Sequence, residues 1–113
     1  MAARGATMAD AVAEYDKLVQ ALTQTPGVTA GQMFGKPCLK VNGKAFVAQH
    51  HEAVVFKLTA PQHARALAVA GAVLWDPSGK QRPMKEWVAV PAAGCKQFKA
   101  LAQAALEYVS TDA

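Results

Sequence analysis

Long apolar runs are missing from this 113-residue chain: no stretch approaches the roughly 20 residues needed to span a bilayer. The N-terminus, MAARGATMADA, has one arginine and no apolar segment behind it, so no signal peptide is expected and residues 1–8 read as a flexible leader. Cysteine is scarce. Cys38 and Cys95 are far apart and form no CxxC motif, so they read as reduced thiols of a cytoplasmic protein rather than a disulfide framework. Aromatic residues make up only 7% of a chain that is 52% hydrophobic, so alanine and valine carry much of the core.

Motifs that would declare a chemistry are also missing. No HxxxH or HExxH spacing marks a metal site, and Met33-Phe34-Gly35-Lys36 joins two strands, so phosphate-cradle logic does not apply. Asp10 and Glu14 share a helix with nothing nearby to perturb either carboxylate. His50-His51, with Glu52 and Cys38, is the nearest thing to a ligand cluster, and it reads as exposed imidazoles in a loop. Cys38 lies between Lys36 and Lys40 on a strand, a setting that can lower a thiol pKa, but spacing brings no base to it, so it reads as a small buried or half-buried cysteine. Cys95, near the start of the last helix, likewise lacks a visible base. No catalytic residue, cofactor site or metal site is assigned.

What is present is a strong alternation of two periods. Ala11, Tyr15, Leu18 and Leu22 recur at helical spacing after Thr7, an N-cap candidate, and Pro26-Gly27 stops that helix. Residues 33–58 then read as a short strand and a three-stranded meander. Asn42-Gly43 supplies the type I′ turn between Lys36–Val41 and residues 44–49. Unbroken alternation places Leu39, Val41, Phe46, Val54, Phe56 and Leu58 on one face, with Ala48 continuing that set. It requires a three-residue loop at 50–52, pairing Phe46 with Phe56 and Val47 with Val55.

Thr59 then caps a second helix with Pro61 in its first turn; Ala64, Leu67 and Ala68 face inward and Gly71 is its C′ residue. A strand at 72–75, a turn at Asp76-Pro77-Ser78-Gly79, a strand at 84–90 ended by Pro91, and a helix at 93–110 complete the chain. The last helix presents Phe98, Leu101, Ala105 and Tyr108 or Val109. The whole is one α+β domain with an antiparallel sheet.

The opposite sheet face carries Lys36, Cys38, Lys40, Val47, Val55 and Lys57. It reads either as a solvated face with snorkelling lysines or as a surface for a protein partner or a second copy. The formal net charge is +4. Residues 36–57 hold four lysines against Glu52, and residues 80–99 hold five basic residues against Glu86. These two segments make duplex DNA an alternative, less favoured partner, since no helix-turn-helix or aromatic-interleaved basic strand accompanies them.

Several strings in order resemble the N-terminal domain of the TfoX/Sxy family: Met33-Phe34-Gly35, Val41-Asn42-Gly43-Lys44 leading to Phe46, and Val55-Phe56-Lys57-Leu58. Further on come Ala70-Gly71-Ala72, Arg82-Pro83-Met84, Trp87 and Val90-Pro91. The resemblance covers about residues 9–109. It implies a two-layer α/β sandwich with helices on one side of an antiparallel sheet, in the order α-β-β-β-β-α-β-β-α, in an intracellular bacterial protein. Full-length family members are associated with regulation of DNA-uptake competence and carry a C-terminal domain that this sequence lacks. The resemblance supplies no catalytic residues. It implies a non-enzymatic regulatory or interaction domain. The alternative is a small-molecule site, or a minor enzyme, in an apolar pocket lined by Met33, Phe34, Met84 and Trp87.

Overall fold

The computed structural model describes residues 8–33, 35–50, 52–59, 61–75 and 84–111. Helix α1 (Met8–Leu22) leads into β1 (Val28–Met33), β2 (Lys36–Val41), β3 (Lys44–His50) and β4 (Ala53–Lys57). A short helix α2 (Gln62–Leu67), strands β5 (Val73–Trp75) and β6 (Met84–Pro91), a 3-10 helix (Ala92–Gln97) and α3 (Phe98–Thr111) follow. The expected element order holds, with the 3-10 segment added before the last helix. The sheet is six-stranded and antiparallel, in the order β1-β2-β3-β4-β6-β5.

Helices α1 and α3 are amphipathic for a reason visible in their spacing. Ala11, Tyr15, Leu18 and Leu22 are all buried on α1, as are Phe98, Leu101, Ala105 and Val109 on α3. All but Ala11 pack against Leu39, Val41, Phe46, Val54, Phe56 and Leu58 in one core cluster, where each large side chain contributes roughly 1.5–3 kcal/mol of burial. Phe56 and Phe98 join the two layers with ring centroids 5.4 Å apart.

The Asn42-Gly43 turn forms as its residues dictate, with φ of 52° and 84° and Val41 opposite Lys44. Beyond it the expected register fails in two places. Leu39 pairs with Val47 while Lys40 pairs with Ala45, so Phe46 is an extra residue in a β-bulge. Phe46 and Val47 therefore both enter the helix-covered core, and Ala48 passes to the other face with Cys38. His50 pairs with Ala53, which leaves a two-residue loop at 51–52 where three were expected. Val47 lies opposite Phe56 and Ala48 opposite Val55. One residue gained in the bulge and one lost from the loop cancel, so β4 still buries Val54 and Phe56.

Helix α2 also differs from expectation. It starts at Gln62, Pro61 occupies the N-cap position, and no side chain caps it. Its buried residue is Ala66, whereas Ala64, Leu67 and Ala68 are exposed. Gly71 adopts φ of 83° in the turn closed by the Ala72 N–H to the Val69 carbonyl, beyond the helix end. The Thr7 cap and the Asp76–Gly79 turn lie outside the described residues.

Candidate functional site

The second sheet face is where the chain departs most from a plain two-layer domain. Cys38, Ala48 and Val55 point away from the helices, yet all three are fully buried. They cluster with Trp75 and Trp87, with Ala45 and Ala89 at the margin. The two indoles meet at 5.4 Å between centroids and an interplanar angle of 57°. A tilted aromatic pair of this kind gains somewhat beyond its area burial. Trp75 ends β5 at an irregularity in the β5–β6 pairing, where the register shifts between Leu74 and Trp75.

Six residues were expected to make one exposed partner surface. The structure divides them. Cys38 and Val55 are sealed beneath the indoles, and Val47 belongs to the other face because of the bulge. Lys36, Lys40 and Lys57 remain partly exposed at its rim. Lys57 is held by Glu86, with Nζ–Oε1 at 3.8 Å, and Tyr108 on α3 donates its hydroxyl proton to Glu86 Oε2 at 2.8 Å. Burial pushes the Cys38 thiol up, and Lys40 opposes this only in part. Cys38 is thus the small buried cysteine expected, and activation by the lysines is outweighed by desolvation.

The expected apolar pocket cannot be placed as a unit. Phe34 and the side chains of Met33 and Met84 lie outside the described residues. Trp87 is buried in the tryptophan cluster. Two of the basic residues counted in segment 80–99, Lys80 and Arg82, are likewise outside, as is the side chain of Lys85.

The structure instead forms a concavity at the β5 end of the sheet. A cavity of about 330 Å³ is bounded by His50, Glu52, Ala53, Val73, Leu74, Trp75 and Ala89. The Trp75 indole donates from Nε1 to Nδ1 of His50 at 2.6 Å, and the rings meet edge-on at 5.8 Å. An imidazole that accepts at Nδ1 carries its proton on Nε2 in the neutral form, so this bond fixes the tautomer. His50 is thus a positioned polar group at the end of β3 rather than the loop imidazole expected. Among the described residues, no group of three His, Cys, Asp or Glu could hold a metal ion.

Beside the cavity, β5 forms an edge of the sheet, paired on one side to β6. Val73 is 58% exposed, the most exposed large hydrophobic among the described residues. Sequence reasoning missed the site because its parts come from four strands and the loop at 51–52. Trp75 was legible as the end of a strand and 50–52 as a loop of a different length; their meeting depends on the sheet order β4-β6-β5. Among the described residues no helix is long and apolar enough to cross a membrane. No family model matches this chain, and neither curated proteins nor solved structures yield a match.

Proposed function

We propose that this is a regulatory protein-interaction domain that works in the bacterial cytoplasm and receives an extended segment of its partner along β5. The observation that carries this reading is Val73. An exposed valine on a short edge strand, next to an apolar cavity, is the arrangement that strand addition uses. Backbone pairing at the edge would supply affinity, and the His50–Trp75 cavity would take one side chain. The resemblance to the TfoX/Sxy N-terminal domain supports a regulatory role, and the element order agrees with what that resemblance implies.

A photo-crosslinking amino acid placed at position 73 in cells tests the reading. It should yield one defined product, either a second copy of the chain or a single other protein. The same group at exposed position 44, in the distant hairpin, should yield none. Equal or absent products at both positions would refute it.

The cavity favours one second reading, a small apolar ligand with a polar tip meeting His50. Its size falls at the lower end of ligand pockets. A compound raising the unfolding midpoint of the wild type, with the gain lost in His50→Ala, would support that reading over strand addition.

A further inference from the structure

A groove of about 650 Å³ lies between the end of α2 and the 3-10 helix, lined by Arg65, Ala68, Val69, Gly94, Lys96 and Gln97. The close approach of the two elements is set by glycine. A Cβ at Gly94 would stand 2.7 Å from Val69 Cγ1 and 3.1 Å from Val90 Cγ1, so a side chain there would push the 3-10 helix away. With Gly94 seated, Lys96 and Gln97 share the groove with Arg65 from α2.

The electrostatics of this groove are one-sided. Among the described residues Arg65 and Lys96 line it, no acidic residue does, and neither cation forms an ion pair. By contrast, Lys17 and Lys57 are paired with Glu14 and Glu86. Arginine offers a planar fork of donors, lysine a compact charge, and the glutamine amide two further N–H groups. A planar carboxylate is satisfied by one guanidinium. Donors arriving from two elements suit the three terminal oxygens of a phosphate ester better. Ala68 and Val69 add an apolar wall, and the volume exceeds what a bare oxyanion fills.

We propose that this groove binds a small phosphomonoester, with Arg65 and Lys96 holding the phosphate and the Ala68–Val69 wall contacting the organic body. The site is separate from the β5 edge and stands or falls without it.

The test is a titration of isotope-labelled protein followed by amide resonances, using inorganic phosphate, a nucleoside monophosphate and a sugar monophosphate, with sodium chloride at matched ionic strength as the blank. Saturable shifts centred on residues 65–69 and 94–97 are expected. Arg65→Gln and Lys96→Gln should each weaken binding about tenfold, as loss of a charged hydrogen bond implies, while Lys44→Gln leaves it unchanged. All three positions are exposed, so the variants should unfold at the wild-type midpoint. The esters should bind more tightly than inorganic phosphate; equal affinity would overturn the role given to the Ala68–Val69 wall. Shifts reproduced by chloride, or binding unaffected by both groove variants, would overturn the proposal. So would steeply salt-dependent binding of duplex DNA with no response to the monophosphates.

Discussion

The two faces of one sheet are closed by different means. Side chains from α1, α2 and α3 cover one face, and they recur at the three- and four-residue spacings that any amphipathic helix supplies. The buried cluster on the other has five members, and its bulk comes from two indoles on the β5–β6 hairpin. The helix-covered face is redundant: many residues share its burial. The indole-covered face is not, since Trp75 both packs on Trp87 and donates to His50. The candidate interaction site adjoins the face that depends on few residues. Its geometry can change without dismantling the core.

Two truncations separate the faces. Phe56→Ala removes a fully buried ring that packs on Phe98, and should lower unfolding free energy by about 4 kcal/mol. Trp75→Ala should cost less, about 3 kcal/mol, because its loss falls on the smaller cluster. The discriminating readout is thiol chemistry in the folded state. Cys38 should stay unreactive in Phe56→Ala and become open to an alkylating reagent in Trp75→Ala. Protection of Cys38 in both would mean that something besides the indole seals that face.

Much of the helix-covered face could be read in advance. Ala11, Tyr15, Leu18 and Leu22, and Phe98, Leu101, Ala105 and Val109, each carry their own period, and Asn42-Gly43 declares its turn. The bulge at Phe46 could not be read, because an alternating pattern looks the same with or without an unpaired residue until the partner strand is known. Alternation demands a three-residue loop only if β3 holds no extra residue; with Phe46 bulged, two residues restore the same face on β4. The capping of α2 failed for a local reason: a threonine before proline suggests a cap, yet Pro61 itself takes the N-cap position. The cavity at His50 required the sheet order, which local pattern does not encode.

Gly94 tests how tightly the rim of the helix-covered face is fitted. Its φ of −93° is open to any residue, so the effect of Gly94→Ala isolates crowding against Val69 and Val90 from backbone preference. Overpacking of this kind typically costs 1–3 kcal/mol, and about 2 kcal/mol is expected by denaturant titration. Val69→Ala in the same background should recover part of the loss. If Gly94→Ala is neutral, the 3-10 helix shifts freely and its fit against the rim is loose.

The smallest expected effect belongs to the indole-covered face and appears with pH. Burial raises the Cys38 thiol above its ordinary value of 9.0. In the unfolded chain the thiol ionises at that ordinary value; in the folded chain it keeps its proton longer. Above pH 9 the unfolded state therefore binds fewer protons, and stability falls as pH rises toward the folded value. The loss sets in near pH 9 and deepens as pH climbs toward the folded value. The phenol of Tyr15 acts in the same direction at higher pH. It is raised chiefly by burial, with Cys38 and Asp16 adding to it. Cys38→Ala should thus flatten the profile between pH 8.5 and 10, through its own proton and by easing the ionisation of Tyr15. An alkaline decline of the same steepness in Cys38→Ala would place its origin outside this face, in the helix-covered core or at the surface lysines.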